Sequence, residues 1–441
     1  MRTFNQLLSA IRENRLADVE AWRSRLVVWL AAAMVGLVIV IFARMTDACI
    51  ALFFSMQKAH WWLPLIVTPL GGMVVVGITR KWFFGAGGSG IPQTIAALHG
   101  GISERQQKSV LSLRIAAGKI VLGVSAIAAG FSAGREGPSV QVGASIMYAF
   151  RRFLPNGFAL DPKQLILAGG AAGISATFNT PLAGVVFAIE ELGRSFEHKT
   201  SGVLITAIVL SGIVAISMQG DYSYFGHLTV EEVKPAIIWP ILVCGLACGV
   251  CGGLFSRILI TSTQITTSPL DQFRQLHPLW WAGLCGLIVA GLGLMNGSGA
   301  HGSGYIFTHE MLHGAVTETW QFAPTKFLAT IFTYLSGVPG GIFAPSLSIG
   351  AGIGNDLLPL LGHEHVAAAI YALCMTGFLA AVTQTPITSF IIVMEMIDGH
   401  EMVLSLMTVA LVSTIVARLF SPPLYTALAD AQIKHLQQAP D

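Results

Sequence analysis

Charged side chains are scarce in this chain of 441 residues: they account for 11% of it, whereas 54% of the residues are hydrophobic. A soluble domain carries about 25% charged residues, so the composition excludes an ordinary soluble fold. The net charge of only +2, with no basic stripe carrying interleaved aromatic residues, excludes a nucleic-acid partner. The polar N-terminus also lacks a short apolar core with a small-residue cleavage pattern, so we expect no cleaved secretory signal.

Long apolar runs are abundant instead. They cover residues 26–43, 61–78, 203–217, 235–255, 279–295, 327–338 and 403–419. Several approach the roughly 20 residues with which a helix crosses a bilayer. The 48 glycines and 19 prolines interrupt other apolar stretches, and irregular backbone at membrane depth is tolerated only inside protein or beside a watery cavity. The sequence therefore predicts an all-α polytopic membrane protein whose interrupted segments line a pathway through it.

The chain divides into two halves. Residues 1–25 are polar and carry several arginines, which favour a cytoplasmic N-terminal segment. We expect a first membrane half at 26–219, a polar linker at 220–234 and a second membrane half at 235–427. Residues 428–441 are then a short cytoplasmic tail.

Three segments of the first half recur in the second half in the same order. Gly88 pairs with Gly302, Pro138 with Pro345 and Thr180 with Thr385, at separations of 214, 207 and 205 residues. Three collinear matches indicate a duplication, and duplicated halves with Gly- or Pro-interrupted segments are typical of transporters that bind substrate at the repeat interface. The sequence alone leaves open whether the halves are inverted or parallel.

Three glycine-rich turns, at residues 88–92, 134–138 and 340–345, each lead through a proline into an apolar helical stretch. Such a turn exposes the free N–H groups and the positive dipole end of a helix, which attract an anion. A single turn of this kind is equally typical of tight helix packing. The set of three favours an anion site inside the membrane.

Glu136 lies at the mouth of the second apolar segment, where an ionisable group is costly unless it has a function. Its carboxylate is an acceptor for the same N–H groups as an anion, so it can occupy the anion's position and leave when protonated. The alternative is a salt bridge with a basic neighbour, Arg135 or Lys119, at the membrane edge.

The segments GSGIP (88–92), GREGP (134–138) and GIFAP (341–345) resemble the three signatures of the CLC chloride channel and transporter family, in the family's order and spacing. The resemblance extends from about residue 26 to Tyr425. It implies a CLC-type inverted repeat of tilted and broken helices, a homodimer and a separate pore within each subunit. It implies no metal and no cofactor, because ion gradients supply the energy.

Position by position, the resemblance implies that Ser89 and Tyr425 coordinate the central anion through their hydroxyls. The backbone N–H groups of Ile342 and Phe343 assist, and Glu136 is the gate and proton-transfer residue on the extracellular side. Serine at position 89 is typical of chloride-type members. From the residues alone, Ser89 is also typical of a helix start and Tyr425 of an interfacial anchor.

The acidic pair Glu190 and Glu191 ends the apolar run 181–189. The resemblance implies internal proton transfer at Glu191, with Glu190 shaping water access, although two acids at a helix end are also typical of a solvated terminus. Gln93 departs from the family pattern, which usually has glutamate there, and we interpret it as tuning of local charge. Lys119 matches a basic position for which we expect electrostatic support.

The function predicted from these residues is exchange of chloride for protons by a multi-pass transporter, not an enzyme, in a bacterial plasma membrane. Its partners are chloride, protons, membrane lipid and a second copy of the chain. A passive voltage- or pH-gated chloride channel with the same pore is the alternative, because motifs do not encode gating kinetics.

Two further patterns allow other functions. His309, Glu310 and His313 form an HExxH motif, which is typical of zinc metalloproteases. It lies inside the repeat and lacks a persuasive third ligand, so an intramembrane protease is a remote alternative. Cys244, Cys248 and Cys251 have a spacing also used for iron–sulfur clusters, but an apolar glycine-rich span favours close helix packing instead.

Overall fold

The computed structural model describes residues 19–99, 101–155, 161–193, 201–220, 223–228, 238–263, 268–314, 319–361 and 367–438. The helices of the first half are α1 (Val19–Ala59), α2 (Pro64–Trp82), α3 (Ile91–His99), α4 (Glu104–Val110), α5 (Leu113–Ala128), α6 (Glu136–Phe150), α7 (Pro162–Phe178), α8 (Pro181–Phe187), which continues into a π-helix (Ala188–Gly193), and α9 (Ser201–Gln219).

The second half repeats the order of most of these helices. Its members are α10 (Ile238–Thr263), α11 (Pro269–Leu276), α12 (Pro278–Met295), α13 (Tyr305–Leu312), α14 (Phe322–Ser336), α15 (Phe343–Leu361), α16 (Ala367–Thr383), α17 (Pro386–Ile397), α18 (Val403–Ala417) and α19 (Leu424–Gln438). The predicted all-helical fold of broken helices is confirmed.

Small residues determine how helices pack in each half. A Cβ on Gly143 of α6 would lie 2.2 Å from the carbonyl oxygen of Gly169 on α7. The equivalent contact in the second half joins Gly350 of α15 to the carbonyl of Cys374 on α16, where a Cβ would lie at 2.4 Å. Close backbone approach of this kind stabilises helix pairs in a membrane, where apolar burial gives little drive for association.

A pseudo-two-fold relation between the halves is visible at one isolated bridge. Gly134 and Gly341 are equivalent residues of the repeat, and they pair with each other in antiparallel fashion, each amide donating to the other's carbonyl at 2.8 Å. When equivalent residues contact each other reciprocally, the two copies are related by a two-fold axis. This axis passes between the second and third signature turns.

Seven helices in the described part of the chain are long and apolar enough to cross a membrane, judged by length and composition. This supports a multi-pass membrane protein.

Three details differ from the expected boundaries. Helix α1 begins at Val19, inside the expected N-terminal segment, whose residues 1–18 lie outside the described residues. The expected tail continues as α19 up to Gln438, because Leu428 and Leu436 are buried. The described residues 223–228 of the expected linker fold against the second half, where the Phe225 amide donates to the carbonyl of Met396.

Candidate functional site

The first signature turn is held open by buried side chains rather than by regular secondary structure. Gly88 and Gly90 have positive φ angles of 66° and 109°, which glycine adopts without strain. The side-chain NH₂ of Gln93 donates to the Gly87 carbonyl at 2.7 Å, and its side-chain oxygen accepts from the backbone amide of Gly90 at 2.9 Å. An ionised glutamate at this position could not donate to the carbonyl, so the neutral side chain suits this turn.

Lys119 supports the same turn from α5. Its side chain is fully buried, and the ammonium donates to the carbonyls of Ala86 at 2.9 Å, Gly87 at 3.4 Å and Gly88 at 2.6 Å. It therefore does not pair with Glu136 but satisfies the carbonyl oxygens of the turn. Electrostatic support of the anion site by Lys119 remains a prediction.

All three signature turns meet. The Gly340 amide donates to the Gly88 carbonyl at 3.1 Å, joining the first turn to the third. A Cβ on Gly137 would lie 2.4 Å from the Ser89 hydroxyl, so the first turn also lies directly on the start of α6. The Gly134–Gly341 bridge completes the set. The sequence placed these turns far apart in the chain, and the fold brings their helix N-termini to one point.

Two buried hydroxyls lie at this point. Ser89 is 1% exposed and Tyr425 is 0% exposed. The two hydroxyls lie near each other, yet neither oxygen has a well-aligned hydrogen-bond partner among the described residues. An unsatisfied buried hydroxyl costs about 1–3 kcal/mol. Two neighbouring buried hydroxyls can both donate to a hydrogen-bond acceptor such as a halide.

Ile342 and Phe343 bring the N-terminal end of α15 to the same region, and both are buried. The first amides of an α-helix have no acceptor within the helix. Burial of this helix end therefore leaves donors for an anion, in agreement with the expected role of these two amides. That role stays a prediction.

Glu136 is 1% exposed and begins α6. Neither carboxylate oxygen has a well-aligned partner in the described part of the chain, although the amides of residue 136 itself and of Ala344 are near. Its Oε2 lies against Gly134, where a Cβ would approach to 2.1 Å. The carboxylate thus lies beside the amides at the start of α15, where it and an anion would compete.

Arg135, the basic neighbour of Glu136, pairs with another carboxylate. The Arg135 guanidinium lies 2.6 Å from the Asp47 carboxylate of α1 and also donates to the Ala43 carbonyl at 2.9 Å and to the Thr46 hydroxyl at 3.2 Å. The salt bridge between Glu136 and Arg135 or Lys119, left open by the sequence, is therefore not formed in the structure.

Two cavities adjoin residues of the signature turns. One of about 550 Å³ is lined by Glu136, Arg135, Tyr224 and the turn 302–304. Another of about 620 Å³ reaches Gly87, Gly88 and Gln93. The two cavities share no lining residue. Glu136 lines the first cavity, and the second reaches the turn that carries Ser89.

Glu190 and Glu191, the two acids of the predicted inner route, have different surroundings. Glu191 is 2% exposed and lies within electrostatic range of Tyr425. The carboxylate of Glu190 instead accepts from the backbone amides of Ile387 at 3.2 Å and Thr388 at 2.6 Å, at the start of α17. The expectation that Glu190 shapes water access remains untested.

Two residues near the site were not identified from the sequence. Lys326 is buried on α14 and donates to the carbonyls of Ala300 at 3.2 Å, His301 at 3.2 Å and Gly302 at 2.8 Å, as Lys119 does in the first half. The repeat could have identified Lys326, because Lys119 and Lys326 are separated by the same number of residues as Pro138 and Pro345. Tyr224, in the expected linker, lines the same cavity as Glu136 and gave no sequence signal.

The HExxH and cysteine motifs take ordinary positions. The His309 and His313 rings lie 4.3 Å apart, but His313 Nε2 contacts the Phe225 carbonyl at 2.9 Å. No group of three or more possible metal ligands occurs among the described residues. Cys244 and Cys248 are buried on α10, which packs against α16, and the Cys248 thiol donates to the Cys374 carbonyl at 3.4 Å.

Broken helices whose N-termini meet at a buried site are typical of a membrane transport protein. The family profile described as voltage gated chloride channel matches residues 71–418. The chain belongs to this family, and the resemblance recognised from its three signatures is confirmed.

Relatives in the family carry a specific name. The H(+)/Cl(-) exchange transporter ClcA of Klebsiella pneumoniae is 32% identical over 398 residues, covering 84% of this chain and 79% of the relative. The transporter of the same name from Salmonella typhimurium is 30% identical over 388 residues, covering 83% and 78%.

Solved structures share the fold. A slow cyanobacterial Cl-/H+ antiporter matches with a TM-score of 0.80 and 24% identity, covering 94% of this chain and 98% of the other. A CLC-type fluoride/proton antiporter matches with a TM-score of 0.75 and 22% identity, covering 91% and 96%. At these identities the likeness establishes the fold alone.

Proposed function

We propose that this protein exchanges chloride for protons across a membrane. The observation that carries the proposal is the convergence of the buried hydroxyls of Ser89 and Tyr425 with the buried carboxylate of Glu136 where the three signature turns meet. The names of the relatives, which are exchange transporters rather than enzymes, support it. They also favour exchange over a passive channel.

The anion site consists of donors alone. Chloride accepts hydrogen bonds from the hydroxyls of Ser89 and Tyr425 and from the amides of Ile342 and Phe343. The converging helix N-termini add a favourable dipole at a position from which water is largely excluded, where such interactions are stronger than in water. No metal or cofactor takes part.

Glu136 is the gate on the side of the cavity that it lines. An ionised carboxylate buried without a partner is costly. It is stabilised either by the amides that also bind chloride or by taking up a proton and leaving them. Chloride binding and protonation are therefore linked at one side chain, and this linkage couples the two fluxes.

Glu191 accepts the proton on the other side. It is buried beside Tyr425, so a proton moving between Glu191 and Glu136 passes the anion site. A channel needs no second acid on this path. This requirement distinguishes the proposed exchange from the alternative.

We infer further that the protein is a homodimer in the plasma membrane with a cytoplasmic N-terminus. Ile205 and Ile213 on α9, with Leu404 and Ile415 on α18, are exposed apolar side chains. These side chains can contact a second copy or lipid. Single-molecule photobleaching in liposomes, which counts subunits, tests the dimer, and protease access to an N-terminal tag in oriented vesicles tests the topology.

Reconstitution in liposomes tests the exchange. A chloride gradient imposed on the wild-type protein should drive protons uphill, as recorded by external pH. Glu136→Gln and Glu191→Gln should each abolish proton movement while chloride flux persists. Glu310→Gln, an acid of the HExxH motif outside the proposed route, is the matched control and should pump like wild type.

Each outcome distinguishes the alternatives. Chloride flux without uphill protons in the wild type would establish a channel. Coupling that persists in both Glu136→Gln and Glu191→Gln would refute the proposed route. Loss of function on strong chelation, together with loss in Glu310→Gln, would favour the metal-dependent reading.

A further inference from the structure

The repeated segments 180–190 and 385–395 exchange their terminal carboxylates between the halves. Glu190 of the first half accepts from the amides of Ile387 at 3.2 Å and Thr388 at 2.6 Å in the second half. Glu395 of the second half accepts from the amides of Leu182 at 3.2 Å and Ala183 at 2.7 Å in the first half. Each carboxylate therefore caps the N-terminus of the helix equivalent to its own.

These helices need a cap from outside. Both begin with Thr-Pro, and neither Thr180 nor Thr385 makes the side-chain hydrogen bond typical of an N-cap threonine. Proline at the first position supplies no N–H, and the next amides remain without an acceptor in the helix. A carboxylate at a helix N-terminus satisfies these donors and interacts favourably with the helix dipole.

Only the cap in the first half affects the position of a predicted proton-transfer residue, because Glu190 directly precedes Glu191. Both lie in the π-helix Ala188–Gly193, a wide turn of a kind often found at functional sites. Consecutive side chains of a helix diverge by roughly a quarter turn. Fixing Glu190 on α17 therefore turns Glu191 inward, where it is 2% exposed. In the second half, the residue after Glu395 is Met396, which carries no proton.

We propose that Glu190 is a positioning residue: as a cap on α17, it fixes the rotation of the π-turn that keeps Glu191 buried and facing Tyr425. Its carboxylate then acts through its acceptor oxygens and not by titration. The proposal deepens the exchange function and rests on it for the role of Glu191. It differs from the expectation that Glu190 shapes water access as part of the proton route.

Substitutions distinguish a cap from a proton carrier. Glu190→Gln retains an acceptor oxygen but cannot carry a proton, whereas Glu190→Ala retains neither. Proteoliposomes should show near wild-type proton-to-chloride ratios for Glu190→Gln and a ratio lowered at least about twofold for Glu190→Ala. Glu395→Ala is the matched control, since it removes the equivalent cap beside Met396. It should lower thermal stability like Glu190→Ala but change the ratio less.

A second readout does not depend on coupling. In Glu191→Cys protein, a water-soluble thiol reagent should modify position 191 slowly, as followed by peptide mass spectrometry. Adding Glu190→Ala should speed this modification about tenfold, because local opening exposes the turn. Adding Glu190→Gln or Glu395→Ala should change it little.

The results separate this inference from the proposed function. If the wild type does not pump protons, the exchange proposal fails and the labelling rates alone decide the positioning role. If Glu190→Gln lowers the ratio as much as Glu190→Ala, Glu190 titrates and the inference is wrong. Equal labelling rates with and without Glu190→Ala would overturn it as well.

Discussion

Glu136 and Phe343 occupy equivalent positions of the two halves, each after a signature glycine and before a proline. Only the first carries a carboxylate. The same contrast recurs at Glu191, whose equivalent is Met396. By comparison, Lys119 and Lys326 make the same three carbonyl contacts, and Glu190 and Glu395 make the same caps.

The difference separates two kinds of residue. Side chains that hold turns and helix ends in place are duplicated, because each half must satisfy the same backbone groups. The two carboxylates assigned to proton chemistry, Glu136 and Glu191, have no carboxylate at the equivalent position of the other half. The duplicated residues thus form a symmetric framework, and the few residues that differ between equivalent positions make the two halves chemically different. Paired substitutions at equivalent positions test this separation.

Replacement of the buried lysines should have the largest effect. Lys119→Met and Lys326→Met each remove a buried donor from three carbonyls, and we expect each to destabilise the protein by about 3 kcal/mol or more. Thermal unfolding of the purified variants measures this loss. Only Lys119→Met should also weaken chloride binding, by about tenfold in calorimetry, because its turn carries Ser89. Equal losses of chloride affinity in both variants would contradict the separation.

Alanine at the bridging glycines should have a smaller effect. In Gly134→Ala the new methyl would lie 2.1 Å from Glu136 Oε2, so the carboxylate must move. We expect a lower proton-to-chloride ratio in a flux assay with little loss of stability.

The equivalent variant should behave in the opposite way. In Gly341→Ala the nearest atom is the Gly137 amide nitrogen at 3.0 Å, a backbone group that cannot swing aside. Overpacking there should cost about 1–3 kcal/mol of stability, as measured by thermal unfolding. A ratio lowered more in Gly341→Ala than in Gly134→Ala would show that the carboxylate is not held as described.

The serine pair should give the smallest effect. Ser89→Ala removes a donor from the anion site, and we expect chloride affinity to fall by roughly 1 kcal/mol in calorimetry. Ser303, its equivalent, accepts from the Tyr305 amide at 3.3 Å and lines the cavity beside Glu136. Ser303→Ala should change the affinity less than about twofold. An equal effect of the two would place chloride at both turns.

The repeat, the three turns and the all-helical fold could be predicted from the sequence, because each depends on local patterns of glycine, proline and apolar residues. Contacts that depend on how the halves meet could not be predicted in this way. The recurrence of Thr180–Pro181 and Glu190 was visible, but nothing in the chain indicated that each glutamate caps the helix of the other half. Tyr224 falls in a predicted polar linker because neighbouring residues are polar, whereas the fold buries it at the cavity that Glu136 also lines.

The paired glycines at 134 and 341 have a consequence for chain length. Each lies four positions before its proline. The spacing from the Gly134–Gly341 bridge to the start of the following helix is therefore equal in the second and third signature turns, which form the two arms of the bridge. Inserting or deleting one residue in either arm would shift the register of that arm against the other and carry position 136 away from the start of α15. Neither loop can therefore be lengthened or shortened independently, and an engineer exchanging signature loops between relatives must keep this interval unchanged.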